Sequence, residues 1–119
     1  MVKQSTEQDL REQLLKGKLS PETNARHARI YRAVTSIVGC GSVYYVLTDT
    51  PEQFTDVFRV LVDDKVVVGF ELERKNPDAP PTDIEQYSVE DYRKASRGGI
   101  SGATLRIALE LAKQDLRCH

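Results

Sequence analysis

The sequence contains no tryptophan and few cysteine and histidine residues, the types that build zinc sites. It has two cysteines, Cys40 and Cys118, and two histidines, His27 and His119, and none of them has a spacing typical of a zinc site or a disulfide framework. Cys40 lies among apolar and glycine residues, which favours a buried free thiol. We expect neither a metal ion nor a cofactor, and no pattern indicates a catalytic triad.

Long apolar segments are also missing. A largely polar stretch, Val2-Lys3-Gln4-Ser5, follows Met1 where a signal peptide would have its apolar core. No apolar run approaches the roughly 20 residues of a membrane-spanning helix. We therefore expect no membrane partner, and the cytoplasm is the expected compartment because so few cysteines are typical of a reducing environment.

The chain has almost no net charge, since 17 basic side chains oppose 18 acidic ones. It therefore lacks the basic excess that is typical of nucleic-acid binders, and we expect no direct nucleic-acid partner. The charges are nevertheless unevenly distributed, because residues 49–91 carry twelve acidic and four basic side chains. Either this acidic segment attracts a basic partner, or its carboxylates are simply solvated surface groups.

What the sequence does contain is the pattern of one small folded domain. The 119 residues predict a single α/β domain of the α+β type, covering residues 1–119 in the order α-α-β-β-β-α-α. N-terminal helices precede a three-stranded antiparallel sheet, and two C-terminal helices follow it. Capping patterns predict that the four helices start at Ser5, Ser20-Pro21-Glu22, Ser88 and Ser101.

The three strands are predicted over residues 43–48, 55–62 and 65–73, where β-branched and aromatic residues are enriched. Asp63-Asp64 is expected to form a two-residue hairpin turn, so that Val62 faces Lys65. Both faces of this hairpin are largely apolar, which predicts a helix on at least one side. In this register four charged residues share one face at one end of the hairpin: Asp56, Glu71, Glu73 and Lys75.

This set of charges suggests one possible chemistry. Glu73-Arg74-Lys75 resembles the E-x-K triplet of the PD-(D/E)xK nuclease superfamily. The resemblance implies that Asp56 and Glu73 would bind Mg²⁺ and that Lys75 would assist the attacking water. A magnesium-dependent nuclease is therefore one candidate function, and solvated surface charge is the competing interpretation of the triplet.

The acidic segment suggests a different class of function, a protein that binds a basic partner. It combines carboxylates with tyrosine side chains, which are typical anchors in protein interfaces. Loop position and charge select seven candidate contact residues: Asp49, Glu52, Asp78, Asp83, Glu85, Tyr87 and Glu90.

The segments 57–72 and 89–93 are similar in general character to bacterial immunity proteins, which neutralise toxins in contact-dependent growth inhibition and related systems. The resemblance implies a non-enzymatic inhibitor that binds a cognate toxin, such as a basic nuclease, in the cytoplasm. We prefer this interpretation to that of a nuclease. A third candidate function is that of a structural subunit or adaptor.

Overall fold

The computed structural model describes residues 2–20, 22–95 and 99–117. Within these residues it confirms the mixed α/β class, with two helices before the strands in the sequence and two after them. The described sheet has four strands, so the expected three-stranded sheet is wrong. The elements are α1 (Val2–Lys16), α2 (Ala25–Val38), β1 (Tyr44–Pro51), β2 (Thr55–Val62), β3 (Val66–Glu73), β4 (Thr82–Ser88), α3 (Val89–Ala95) and α4 (Gly99–Arg117).

The strands are antiparallel and lie in the order β1-β2-β3-β4, so β1 and β4 are the two edges of the described sheet. In the central hairpin Val62 pairs with Val66 and not with Lys65. The predicted register is thus wrong by one residue, because the turn between β2 and β3 contains three residues, 63–65. A slip of one residue moves every side chain of a strand to the other face of the sheet.

One face of the sheet, called the α2 face below, is covered by α2. Phe58, Val60 and Phe70 of the sheet form a buried cluster with Ile30 and Val34 of the helix. The rings of Phe58 and Phe70 contact each other, with centroids 5.7 Å apart. This packing confirms the expectation of a helix on at least one side.

The opposite face, called the α4 face, is covered mainly by α4 and α1. Leu61 and Val67 form a second buried cluster with Leu14 of α1 and with Leu105 and Ala108 of α4. Leu61 and Val67 both lie near the β2–β3 turn. The helices therefore cover the turn end of this face, while the end that carries Thr55 and Glu73 lies outside the cluster.

Three of the predicted helix starts are wrong. α1 already begins at Val2, before Ser5, and α4 begins at Gly99, before Ser101. α2 begins at Ala25, because the Asn24 side chain accepts a 2.9 Å hydrogen bond from the backbone N–H of His27 and caps the helix in place of Ser20. Pro21, the other half of the predicted start signal, lies outside the described residues.

The start of α3 at Ser88 is confirmed. The Ser88 hydroxyl accepts a 3.1 Å hydrogen bond from the backbone N–H of Asp91, as the capping pattern requires. Gly39 ends α2 with a φ of 81°, a left-handed conformation that favours glycine.

Cys40, which follows this cap, is exposed, so the expectation of a buried thiol is wrong. Its side chain lies in the connection between α2 and β1, outside both clusters. Cys118 and His119 lie outside the described residues. Among the described helices, none has both the length and the apolar composition that a membrane crossing requires.

Candidate functional site

The edge strand β4 is the most exposed strand of the described sheet. Six of its seven residues are exposed, and only Tyr87 is half-buried. β4 pairs with β3 on one side, and no described strand pairs with its other side. An unpaired edge presents backbone N–H and C=O groups that another chain can contact.

The sequence around β4 is acidic. Residues 76–92 contain five aspartate or glutamate residues and neither lysine nor arginine. Asp83 has a φ of 50°, at the point where the pairing of β3 with β4 shifts between Gly69 and Glu71. This irregularity separates the end of β4 near Thr82 from the regular ladder that begins at Glu85.

A groove of about 420 Å³ adjoins this strand on the uncovered end of the α4 face. Gly69 of β3 lacks a side chain at this point, between Arg59 of β2 and Glu85 of β4. Glu71 and Ile84 line the groove as well, and Ile84 is 50% exposed. We call these five residues, Arg59, Gly69, Glu71, Ile84 and Glu85, the open face.

The charges of the open face are only partly paired. Arg59 Nη2 lies 3.9 Å from Glu85 Oε1, and both side chains are about half exposed, so the ion pair is weak and screened by water. Glu71 accepts a 2.9 Å hydrogen bond from the Thr55 hydroxyl. Within the described residues Glu71 has no cationic partner, which leaves the open face with an excess negative charge.

Tyr87 connects this surface to the core. Its ring lies 5.8 Å from that of the buried Tyr92, and the side chain packs against the cluster under α4. Burial, followed by a hydrogen bond with Glu85, raises the pKa of the Tyr87 hydroxyl. Tyr87 therefore holds one end of the open face in place and is not a fully exposed anchor.

The other predicted contact residues are distributed over the molecule. Four of the seven lie along β4 and the first turn of α3, namely Asp83, Glu85, Tyr87 and Glu90. Asp49 lies on β1, the opposite edge strand, where its carboxylate pairs with Arg26 of α2.

Two further predicted contacts lie in the connections at the far end of the sheet. Glu52 follows β1, and Asp78 is in the segment between β3 and β4. Both are exposed. The fold therefore brings four of the seven residues into one neighbourhood and separates Asp49 from them.

The residues of the nuclease hypothesis do not converge on one face. Because of the corrected register, Asp56 pairs with Leu72 and points to the α2 face, whereas Glu73 pairs with Thr55 and points to the other face. Lys75 follows the end of β3. The predicted face shared by Asp56, Glu73 and Lys75 is therefore wrong. Among the described residues, no group of three histidine, cysteine, aspartate or glutamate side chains could hold a metal ion.

Sequence reasoning missed a second charged feature, the arginines around Asp56. Arg74 Nη1 lies 2.8 Å from Asp56 Oδ1, and Arg26 Nη1 lies 3.7 Å from Asp56 Oδ2. Arg26, Arg29 and Arg32 follow one another at intervals of three residues on α2. This spacing places them near one another along the helix, and the cluster could have been predicted from it.

No family model matches the sequence, and no curated protein or solved structure is significantly similar to it.

Proposed function

We propose that this chain is a binding module that inhibits a basic protein, and specifically an immunity protein for a toxin such as a nuclease. The contact surface of this proposal is the open face together with the exposed edge of β4. The observation that carries it is the juxtaposition of an uncovered groove, an unpaired edge strand and two carboxylates, of which Glu85 has only a weak ion pair and Glu71 has no cationic partner within the described residues.

The chemistry of the groove defines the partner. A lysine or arginine side chain that entered the groove would lie between the carboxylates of Glu71 and Glu85. The N–H and C=O groups on the outer side of β4 are available to the backbone of the same partner segment. A basic loop or strand is therefore the occupant that this surface fits.

Charge complementarity of this kind mainly accelerates association and excludes wrong partners. An inhibitor benefits from both effects, because it must reach its target before the target acts. The half-buried Tyr87 and the adjacent core provide a rigid support for the charged surface.

The test is a binding and inhibition assay with the protein encoded beside this chain's gene. Wild type is compared with Glu71→Lys/Glu85→Lys and with a control, Glu12→Lys, which reverses an exposed charge on α1. We expect the double variant to weaken binding at least about tenfold, and the control to change it little. We also expect the affinity of wild type to fall as salt is raised.

Three results would reject the proposal, the first only its contact surface and the other two its function. Tight binding that is unaffected by the double variant would show that another surface makes the contact. The absence of both binding and inhibition, or metal-dependent cleavage of DNA or RNA by this chain alone that is lost in Glu73→Ala, would reject the inhibitory function itself.

A further inference from the structure

A groove on the α2 face, on the other side of the sheet from the open face, is lined by arginines. It consists of two adjoining cavities of about 390 and 310 Å³, between α2 and the segment that follows β3. Both cavities are lined by Arg29, Arg32, Leu72 and Pro77. We call the region formed by Arg26, Arg29, Arg32 and Arg74 the arginine groove.

Two of the four arginines are held by neighbouring groups. Arg26 pairs with Asp49 and Asp56, and its guanidinium carbon lies 5.3 Å from the centroid of the Phe58 ring. Arg74 pairs with Asp56 and also donates hydrogen bonds to the carbonyl oxygens of residues 52, 53 and 55. These contacts fix the two guanidinium groups, with one carboxylate, Asp56, between them.

The other two arginines have no carboxylate partner within the described residues. Arg29 donates a 3.0 Å hydrogen bond to the carbonyl oxygen of Asn76, but its Nε is buried and lacks a hydrogen-bond acceptor. Arg32 is exposed beside it. A buried donor without an acceptor is unfavourable, so the protein neighbours of Arg29 leave part of its hydrogen-bonding capacity unfilled.

We infer that the arginine groove binds a small phosphate-bearing anion. Guanidinium groups donate in a planar fork that matches the oxygens of a phosphate group, and several of them can share one such group. A multiply charged phosphate also competes better with Asp56 for these donors than a singly charged anion does. The inference does not depend on the proposed function, because the two surfaces lie on opposite faces of the sheet.

The test is a calorimetric titration of the full chain with pyrophosphate. We expect saturable binding, weakened about tenfold by Arg32→Gln and by Arg29→Gln. Arg117→Gln, an exposed arginine near the end of α4, is the matched control and should bind as wild type does. Arg32 is exposed, so its substitution tests the groove even if Arg29→Gln impairs folding, which thermal unfolding of each variant would reveal.

Asp56→Asn provides a test that misfolding cannot imitate. The substitution replaces the carboxylate by a neutral amide and so removes the negative charge that competes for Arg26 and Arg74, and we expect pyrophosphate to bind several-fold more tightly. Citrate, which carries carboxylates and no phosphate, should bind more weakly than pyrophosphate.

Absence of saturable binding at about 1 mM pyrophosphate would overturn the inference. Equal weakening in Arg117→Gln, weaker binding in Asp56→Asn, or equal affinity for citrate would overturn it as well.

Discussion

The carboxylate of Asp63 accepts a 2.9 Å hydrogen bond from the backbone N–H of Val43, which ties the β2–β3 turn to the start of β1. The same oxygen accepts the N–H of Ser42 at 2.8 Å, and the N–H of Asp63 donates to the carbonyl oxygen of Val43 at 2.7 Å. Asp63 also has a φ of 54°, which aspartate tolerates better than most residues do. Asp63 therefore sets the backbone conformation of the β2–β3 turn and links this turn to the connection between α2 and β1.

We predict that Asp63→Ala lowers the free energy of unfolding by about 2–4 kcal/mol, because it removes two charge-assisted hydrogen bonds and strains the left-handed backbone. Asp63→Asn keeps an acceptor oxygen and should lose about 1 kcal/mol. Urea unfolding measures both values, and Asp64→Ala, in the same turn, should change stability by less than about 0.5 kcal/mol. Equal losses in the alanine and asparagine variants would contradict this role of the carboxylate.

This turn also explains where sequence reasoning failed. The apolar pattern correctly located β2 and β3, but it contains no information on whether two or three residues connect them. The difference of one residue moved the side chains of β3 to the opposite face relative to those of β2, and so placed Asp56 and Glu73 on different faces of the sheet. Turn length was therefore decisive for the nuclease hypothesis, whereas element type was not.

β4 could not be recognised from its composition. Its residues alternate little between apolar and polar, because an edge strand that is exposed on most positions has no continuous core face to fill. The charge of residues 49–91 correctly marked an acidic region, but sheet order decided which carboxylates are neighbours. Asp49 and Glu85 belong to the same acidic segment and lie on opposite edge strands.

Tyr45 gives a prediction about alkaline pH. Its buried hydroxyl donates a hydrogen bond to Asp115, which also lies 3.0 Å from Lys18 Nζ. Burial, and then the contact with Asp115, raise the pKa of Tyr45 above its ordinary value. In the unfolded chain a tyrosine ionises near pH 10, so above about that pH the folded state binds one proton more than the unfolded state.

The stabilising effect of this proton is complete below about pH 10, and stability should fall as pH rises further, by about 1.4 kcal/mol per pH unit from this residue alone. Tyr45→Phe removes the titrating group, so its unfolding free energy should fall less steeply than that of wild type. Denaturant unfolding between about pH 8 and pH 11 measures both slopes. Parallel curves would show that Tyr45 does not hold its proton more tightly in the folded state.

Arg74 gives a prediction about the connection between β1 and β2. Its guanidinium group donates to Asp56, whose side chain is only 14% exposed, and to the carbonyl oxygens of Glu52 and Gln53 in the connection and of Thr55 at the start of β2. We expect Arg74→Ala to lower the free energy of unfolding by about 1–3 kcal/mol, since it leaves these acceptors without their donor. Arg74→Lys should restore little of the loss, because an ammonium group cannot reproduce the planar fork.

The control for Arg74 is Arg93→Ala. Arg93 contacts Glu90 at 3.4 Å within one turn of α3, and both side chains are largely exposed. Pairs of this kind contribute at most about 0.5 kcal/mol. Similar losses in the two alanine variants, measured by thermal or urea unfolding, would indicate that the carbonyl contacts of Arg74 add nothing to stability.

A substitution at Gly69 can test the function proposed for the open face without lowering the stability of the sheet. A Cβ atom at this position would lie 3.5 Å from Glu85 Oε1 and 3.8 Å from Arg59 Cγ, which are ordinary van der Waals distances. Valine is favourable in strands, where glycine is not, so Gly69→Val should leave stability unchanged or raise it by up to about 1 kcal/mol. The valine side chain would nevertheless occupy the groove between Arg59 and Glu85.

We therefore expect Gly69→Val to fold normally and to bind the basic partner at least about tenfold more weakly, with Gly69→Ala intermediate. Urea unfolding and the inhibition assay, performed on the same preparations, measure the two effects independently. A stable Gly69→Val variant that inhibits as well as wild type would exclude the groove from the interface, because no loss of structure could then mask its contribution. A stable variant that fails to inhibit would locate the interface on the open face without any change of charge.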